Sequence, residues 1–386
     1  MAEVSLHAVP GHRVQPAPGP LIAFYLPQYH PIPENDEWWG PGFTEWRSTV
    51  TARPLFPGHY QPHIPADLGF YDLRVPETRE AQADLARRHG IGGFCYFHYW
   101  FHGRRLLSRP FDEVLASGRP DLPFCLCWAN EDWNRAWDGC SDSILVAQQY
   151  SDDDDIRHIR SLVPAFADER YLRVEGKPLF LVYRASKVAD PLRTTTAWRE
   201  EAARLGVGEL FLCRVEGHAE DRGDPMPLGF DAAVEFQPDW LNMGPAQRGP
   251  RLVSEALRRL RRQPPGALRV HEYAELVERN LAKPAPGYRR FPCVAPAWDN
   301  TPRRGAGGLA IRGSTPELYE RWLREILARA AAGSPGAPVF VNAWNEWAEG
   351  NHLEPDLRYG HAYLEATQRA AASVGSSAVM GSTPRG

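Results

Sequence analysis

The stretch Gly92-Gly-Phe-Cys-Tyr-Phe-His-Tyr-Trp100 is apolar almost without interruption and rich in aromatic residues. A strand with one solvated face alternates apolar and polar side chains, whereas a continuous apolar run is typical of a strand covered on both faces. Strands of that kind belong mainly to parallel sheets with helices packed on both sides. This stretch therefore predicts an α/β fold.

Seven further runs have a similar composition and are bounded by Gly, Pro or Asp residues. They are Leu21–Gln28, Pro123–Asn130, Pro178–Arg184, Glu209–Val215, Ala232–Gln237, Cys293–Trp298 and Val339–Trp344. Helical patterns separate several of them, and the clearest begins at Thr315-Pro-Glu317 with an N-cap, a proline and an acidic first turn. Eight strands alternating with helices predict a (β/α)8 TIM barrel with long loops at its C-terminal face.

We expect this barrel to form a single domain over residues 21–372. Residues 1–20 are Pro-rich and polar, and residues 373–386 are small and polar, so both segments are predicted to be flexible tails. The segment Gly217–Gly229 is too rich in Gly and Pro for a regular helix, so one helix of the barrel is predicted to be missing or irregular.

The composition excludes several classes of protein. With 44 basic and 48 acidic residues, the net charge of −4 gives no reason to expect nucleic acid or an anionic membrane as a partner. No apolar run reaches the length of about 18 residues that a membrane span needs, and the N-terminus lacks the apolar core of a signal peptide. The six cysteines match no zinc spacing, which favours a reduced, cytoplasmic chain. We expect a monomer or a weak homo-oligomer.

Polar residues interleaved with tryptophan follow six of the eight strands, where the active site of an α/β barrel lies. Indole faces pack on sugar rings, while carboxylates and amides match sugar hydroxyls, so these residues are predicted to bind an oligosaccharide or glycoconjugate. They are Tyr29, His30, Glu45, Trp46, His98, Tyr99, Trp100, Trp128, Asn130, Glu131, Trp133, Glu235, Gln237, Trp298, Asp299, Asn300, Asn345 and Trp347.

Glu346 and Glu349 are the predicted catalytic residues. They stand three apart at the end of the eighth strand, beside Trp344 and Trp347. Glycoside hydrolysis uses two carboxyl groups, one as acid and one as base or nucleophile. An apolar shell or a like-charged neighbour can raise one pKa so that this group keeps its proton at neutral pH.

Two alternatives involve metal ions. His30, His98 and His102 could meet around a metal, although their aromatic setting suits hydrogen bonding to substrate equally well. The acidic run Asp152–Asp155 could hold the cation of a nucleotide-sugar glycosyltransferase, but after Ser151 it is also an ordinary start of a helix. We predict no cofactor and no metal.

Seven motifs together resemble the WbsX-type family, bacterial proteins with a glycoside hydrolase family 99-like domain, from about Leu21 to Thr367. The motifs are Ala23-Phe-Tyr-Leu-Pro-Gln-Tyr-His30, Phe43-Thr-Glu-Trp46, Phe97-His-Tyr-Trp100, Cys127-Trp-Ala-Asn-Glu131, Gly176-Lys-Pro-Leu-Phe180, Trp298-Asp-Asn300 and Asn345-Glu-Trp-Ala-Glu-Gly350 with Leu353-Glu-Pro355. The resemblance implies a (β/α)8 barrel that acts in bacterial surface polysaccharide metabolism, and it adds Glu354 to the predicted substrate-binding residues.

The resemblance also implies a role for each catalytic glutamate. Family 99 enzymes are retaining endo-α-mannosidases that need no metal, with the signature Glu-Trp-His-Glu. Carried over, Glu346 is the base that acts on the sugar 2-hydroxyl to form a 1,2-anhydro intermediate, and Glu349 is the acid/base. Ala348 stands where those enzymes have His, so mannose specificity does not carry over.

Three hypotheses on function follow. The first is a retaining, endo-acting glycoside hydrolase or transglycosylase on a bacterial polysaccharide or glycoconjugate. The second is a glycosyltransferase in O-antigen or capsule polysaccharide biosynthesis. It would need a cradle for the donor diphosphate, and the chain contains no Gly-rich phosphate loop. The third is a non-catalytic sugar-binding barrel.

Overall fold

The structure is a computed structural model that describes residues 19–135, 140–248 and 268–380. Its centre is a parallel barrel of eight strands, the seventh of which is divided into two short strands. The strands are β1 Leu21–Tyr25, β2 Gly93–Phe101, β3 Phe124–Trp128, β4 Lys177–Val182, β5 Phe211–Glu216, β6 Ala232–Glu235, β7 Arg290–Phe291 with Cys293–Val294, and β8 Val339–Val341. The α/β barrel predicted from the sequence is confirmed.

Closure of the barrel depends on β7. Its first half pairs with β6, where Val234 lies opposite Phe291, and its second half pairs with β8, where Val294 lies opposite Val341. Pro292 separates the two halves, and proline has no N–H group to donate to a sheet. β8 then pairs with β1 to complete the barrel.

Helices lie between most consecutive strands of the barrel. They are α1 Pro33–Trp39, α2 Trp46–Thr51, α3 Pro76–Arg88, α4 Arg109–Ser117, α5 Asp152–Phe166, α6 Pro191–Arg204, α7 Tyr273–Ala282, α8 Thr301–Arg304, α9 Pro316–Gly333 and α10 Ala362–Met380. Between β5 and β6 the chain forms only two short 3-10 turns, as the composition of Gly217–Gly229 predicts.

Within the described ranges, ten further strands lie outside the barrel and shape its loops. They are Arg104–Leu106, Trp133–Arg135, Cys140–Val146, Arg173–Val174, Gln247–Arg248, Arg269–Glu272, Trp298–Asp299, Leu309–Arg312, Asn345–Glu346 and Asn351–His352. One of them corrects the sequence interpretation, because Trp298 does not continue the seventh barrel strand. It pairs instead with Ile311 in a small sheet beside the barrel.

The two faces of each strand have different neighbours. On β1, Phe24 packs against Phe97 of β2 and Phe340 of β8, with ring centroids 5.5 Å apart in both pairs. The adjacent Tyr25 contacts Phe94 and donates a hydrogen bond to Gln82 of α3. The even position of β1 therefore faces the barrel interior, and the odd position faces the helix layer.

At the ends of the chain, α10 continues to Met380 and passes the predicted start of a tail at Ser373. Most of the predicted tail at 1–20 and the residues after Met380 lie outside the described part of the chain. Cys95, Cys125, Cys127, Cys213 and Cys293 are buried and form no disulfide. None of the described helices is both long enough and apolar enough to cross a membrane.

Candidate active site

The segment with the two predicted catalytic glutamates forms a tight hairpin beyond β8. Asn345–Glu346 pairs with Asn351–His352 in antiparallel register, and Trp347–Glu349 forms a 3-10 turn between them. The turn ends at Gly350, whose φ of 56° lies in the left-handed region that favours glycine. A Cβ atom at Gly350 would also lie 3.0 Å from the Cβ of Asp299, so a side chain here would displace the hairpin.

Arg303 lies at the centre of the site and contacts both glutamates. Its Nη2 is 3.0 Å from Oε2 of Glu346, and its Nη1 is 2.7 Å from Oε1 of Glu349. Nη2 also donates to Oε2 of Glu45, over 3.1 Å. The barrel thus brings together three carboxylates from two distant segments around one guanidinium from α8.

These groups have strongly perturbed acidities. Burial raises the pKa of Glu346 to about 8, and nearby Glu349 and Glu45 add to this effect, while Arg303 opposes it. Burial likewise raises the pKa of Glu349. Burial alone would lower the pKa of Arg303, but the three carboxylates hold it well above its usual range. One positive charge cannot offset three buried carboxylates, so the cluster retains a proton near neutral pH.

A cleft of about 580 Å³ opens beside this cluster. Its walls combine indole rings with amide and charged groups, including Gln28, Trp38, Trp39, Asn130, Glu131, Trp133, Tyr150, Arg184, Lys187 and Arg304. One hydrogen bond and one electrostatic interaction connect the cleft to the glutamates. Gln28 donates a hydrogen bond to the hydroxyl of Tyr99. Burial raises the pKa of Tyr99, and the charge of Glu346 raises it further. Arg304 acts electrostatically on Glu349.

Four of the predicted substrate-binding residues border or approach this cleft. Trp133 packs edge-on against Tyr99 and Trp38, and Asn130 and Glu131 lie on the same wall. Glu131 forms an ion pair with Arg184 over 2.6 Å, while Asn130 bonds to both backbone groups of Arg184. These contacts hold the polar wall in a defined position.

A second group of predicted residues packs against the hairpin that carries Glu346 and Glu349. Glu354 is buried and accepts hydrogen bonds from Gln82, Tyr71 and the indole of Trp347, and burial raises its pKa to about 7. Tyr29 donates to the carbonyl of Asn345, and the Asn345 side chain bonds to both backbone groups of Leu26. Trp46 packs on Tyr29 and on Trp347. Glu45 is also buried and belongs to this group. Their contacts are with the protein.

A third group lies in the helix layer, outside the barrel interior. His98 is 3.0 Å from His158 of α5, and the indole of Trp100 donates to Asp154 at the start of the same helix. Trp128 packs against His158 and against Trp198 of α6. The side chains of the second and third strands at these positions therefore point towards helices rather than towards the cleft.

His102 is partly exposed and lies 3.8 Å from Asp154, so the structure does not bring His98 and His102 together around a metal. His30, in contrast, is buried, and burial lowers its pKa to about 4. The acidic run Asp152–Asp155 is the first turn of α5, capped by Ser151, as the helix interpretation predicts.

The remaining predicted residues lie on other sides of the barrel mouth. Glu235 pairs with Lys283, and Gln237 donates to Asn280 of α7. The side chain of Asn300 accepts from the backbone of Leu309 and closes a turn. Trp298 and Asp299 line a second, smaller cavity of about 230 Å³. Asp299 is held there by His59 and Gln61, at 2.6 and 2.7 Å.

Sequence reasoning missed Arg303, the residue that joins the glutamates. A signal was present, because Arg303 follows Trp298-Asp-Asn300 by three positions in the same loop. The cleft residues Arg184, Lys187 and Tyr150 were also missed. They come from segments with no unusual composition, so only the folded barrel identifies them.

The description "Glycosyltransferase WbsX" belongs to the family model that matches residues 21–367. The chain belongs to the WbsX family. Two curated relatives, each called uncharacterized protein WxcX, come from Xanthomonas campestris pv. campestris strains B100 and ATCC 33913. Each is 45% identical over 355 residues, which is 92% of this chain and 50% of the relative. This WbsX-family chain thus spans about half the length of the curated relatives it matches.

Solved structures with the same fold include glycoside hydrolases. The GH99 endo-α-mannosidase from Bacteroides thetaiotaomicron, in complex with BIS-TRIS-propane, has a TM-score of 0.55 at 16% identity, over 93% of this chain and 98% of that chain. A glycoside hydrolase-like protein also has a TM-score of 0.55, at 14% identity over 94% of this chain and 96% of that chain. Membership of the WbsX family and the GH99-like fold together support a carbohydrate-active enzyme.

Proposed function

We propose that this protein is a retaining glycoside hydrolase or transglycosylase acting within a bacterial polysaccharide or glycoconjugate. The observation that carries the proposal is the pairing of Glu346 and Glu349 with the same guanidinium, at 3.0 and 2.7 Å. The pair adjoins a cleft with three tryptophans on its walls, which suits a chain of sugar rings. The fold shared with GH99 endo-α-mannosidases is consistent with an endo-acting enzyme.

In the proposed first step, Glu346 accepts the proton of the sugar 2-hydroxyl while that oxygen attacks the anomeric carbon. Glu349 donates its proton to the departing glycosidic oxygen, and the product is a 1,2-anhydro sugar. In the second step Glu349 removes a proton from water or an acceptor hydroxyl, which opens the anhydro ring as Glu346 returns its proton to the 2-oxygen. The raised pKa of Glu349 supports its part as an acid.

Arg303 would hold both carboxylates before substrate arrives. Because the guanidinium favours ionised carboxylates, it opposes the effect of burial on both pKa values. Burial still raises the pKa of Glu346 to about 8 and raises that of Glu349, so the pair shares a proton near neutral pH, and in the proposed active form this proton lies on Glu349. Ala348 is buried between the two glutamates, and the proposal leaves the sugar identity open.

The substitution Glu349→Gln tests the proposal. It removes the transferable proton but keeps the shape of the side chain, so we expect turnover to fall by about 10²- to 10⁴-fold while ligand binding persists. Turnover is measured on oligosaccharide fragments of bacterial polysaccharides, with product stereochemistry read by NMR, and binding is measured by calorimetry. Glu200→Gln, at an exposed position, is the matched control and should behave as wild type. Full turnover in Glu349→Gln would refute the assignment.

The second candidate is a glycosyltransferase in surface polysaccharide biosynthesis, which the description of the family favours. The same assay separates the two functions when nucleotide sugars are supplied as donors. A hydrolase or transglycosylase works on the oligosaccharide alone, whereas a glycosyltransferase forms product only when the activated sugar is present. A sugar-binding barrel without catalysis would bind the oligosaccharide and release no product in either assay.

A further inference from the structure

The second cavity, about 230 Å³ in volume, holds a cluster of metal-ligating side chains behind the catalytic hairpin. His63, His352 and Asp356 each offer one ligand atom, and these atoms all lie within 4.8 Å of one another. All three side chains are buried. They come from the loop before α3 and from the segment that follows the catalytic turn, so the fold alone brings them together.

The hydrogen bonds around these side chains orient them as ligands. Nδ1 of His352 lies 2.9 Å from the carbonyl of Glu354, which can only accept a hydrogen bond. The neutral ring therefore carries its proton on Nδ1 and presents the lone pair of Nε2 to His63 and Asp356. An outward donor of this kind is typical of metal-bound histidine.

Asp356 is oriented in the same way. Its Oδ1 accepts hydrogen bonds from the backbone N–H groups of Arg358 and Tyr359, at 2.9 and 2.6 Å. Oδ2 remains directed at His352, 3.9 Å from its Nε2. The two ligand segments are also joined directly, because Ala66 donates to the carbonyl of Pro355 and Leu357 donates to that of Ile64. The three ligands are thus held in place before any ion binds.

The cavity is lined by two buried carboxylates and by two exposed arginines, Arg312 and Arg358. Asp299 and Asp356 both border it and are buried, and among the described residues they form ion pairs only with histidine. Buried carboxylates without a cationic partner are costly.

We propose that His63, His352 and Asp356 bind a divalent transition metal ion of the Zn²⁺ type, with the cavity at its fourth position. Two imidazoles and one carboxylate match the preference of Zn²⁺, whereas Mg²⁺ and Ca²⁺ require more oxygen ligands. Nδ1 of His63 now lies 2.8 Å from Nε2 of His352, so binding moves the His63 proton to its other ring nitrogen without changing the charge.

The ion would stabilise the hairpin that carries the proposed catalytic glutamates. His352 pairs with Asn345 across this hairpin, and its ring stacks on Trp347 with centroids 3.7 Å apart. A metal ion bound by both His352 and His63 would therefore connect the hairpin to the loop before α3. This role is structural, and it holds whether or not the protein is a hydrolase.

Metal binding can be tested on the full chain after removal of metals with a chelator. Zn²⁺ alone is added, bound zinc is counted by mass spectrometry, and the melting temperature Tm is measured. We expect one Zn²⁺ per chain and a higher Tm, while Mg²⁺ changes neither. Co²⁺ in the same protein should give the visible absorption of a tetrahedral site. Wild-type protein that binds no Zn²⁺, or that shows no such Co²⁺ absorption, would overturn the proposal.

Two variants and a control assign the ligands. Asp356→Asn keeps the oxygen that accepts from Arg358 and Tyr359 but loses the charge, and His352→Gln removes a ligand. We expect each to weaken Zn²⁺ binding by at least about tenfold. His361→Gln changes a more exposed histidine that pairs with Asp67, and it should bind as wild type does. If circular dichroism shows folded variants that bind Zn²⁺ as tightly as wild type, the site is elsewhere. None of these readouts depends on turnover.

Discussion

At the scale of single residues, the most informative group is Arg303, because it ties together three carboxylates that the sequence places far apart. Glu45, Glu346 and Glu349 surround it, and burial outweighs its effect on the pKa of Glu346. In such a coupled group the protons belong to the cluster as a whole. The form that we propose to be active has one proton shared by Glu346 and Glu349.

The pH dependence of Arg303→Met tests this description. In the wild type we expect kcat/KM to fall as the pH rises through about 8, where the pair loses its last proton. A guanidinium favours the ionised carboxylates and so lowers their pKa values, and its removal raises them. The alkaline limb of Arg303→Met should therefore move to higher pH.

Arg304→Met is the matched control for this shift, since Arg304 acts on Glu349 only from a distance. Its alkaline limb should move less than that of Arg303→Met. An alkaline limb that stays in place or moves to lower pH in Arg303→Met would contradict the shared-proton description. The profiles are measured at constant ionic strength, because screening changes electrostatic effects on partly exposed groups.

At the scale of elements, the alternation of side chains along β2 and β3 decides which aromatic residues can meet substrate. Tyr99 faces the catalytic side and bonds to Gln28, whereas Trp100 donates to Asp154 under α5. Both residues belong to the same motif in the sequence. An apolar run that is buried on both faces carries no period-2 signal, so the sequence alone does not assign the two sides.

A pair of tryptophan substitutions tests this assignment. Trp133→Ala removes a ring from the wall of the cleft, and we expect KM to rise about tenfold, which corresponds to about 1.4 kcal/mol. Trp100→Phe removes the indole that donates to Oδ2 of the buried Asp154, so the free energy of unfolding should fall by about 1–3 kcal/mol. The KM of Trp100→Phe should be unchanged in oligosaccharide assays. A higher KM in this variant would show that Trp100 contacts the substrate, against the assignment.

At the scale of the whole molecule, closure of the barrel places residues 45, 303, 346 and 349 in one site. β1 pairs with β2 on one side and β8 on the other, so the loops after the first, seventh and eighth strands are neighbours. Phe24 of β1 contacts Phe97, Phe236 and Phe340 across the interior. These rings join β1, β2, β8 and the residue that follows β6, so the stability of the site depends on the whole barrel.

Phe24→Ala should therefore destabilise the whole molecule. Phe24 is fully buried, and removal of its ring is expected to lower the free energy of unfolding by about 3–5 kcal/mol. Chemical denaturation followed by circular dichroism and by tryptophan fluorescence should show one common transition at lower denaturant. Phe70→Ala is the control, because Phe70 is 52% exposed, and its effect should stay within about 0.5 kcal/mol. Equal losses in the two variants would contradict a barrel core centred on Phe24.

Much of the fold could be predicted because it depends on local patterns. Seven of the eight apolar runs contain their barrel strand or most of it, and the helix after Thr315 begins at Pro316 as its N-cap predicts. The exception is Cys293–Trp298, because Pro292 divides the seventh strand and Trp298 pairs with a strand outside the barrel. Whether a proline interrupts a strand depends on whether a neighbouring strand needs the missing N–H donor, and the neighbours of a strand are set by the tertiary structure.

The candidate site was predicted only in part. Glu346 and Glu349 lie together as their spacing indicates, and Asn130, Glu131 and Trp133 line the cleft. Trp128 and His98 were placed in the site by their position near a strand end, yet they pack against helices. A residue at a strand end can face either layer, and a shift of one position changes its surroundings completely.

By itself the sequence determined the α/β class, the number of barrel strands and the two glutamates beyond the last strand, because apolar runs and motif spacing are local properties of the chain. Only the tertiary structure decided which side chains meet. It placed Arg303 between Glu346 and Glu349, and it brought His63 to His352 and Asp356. Contacts between residues far apart in the chain depend on barrel closure and on the face that each side chain takes, and neither is encoded in a local pattern.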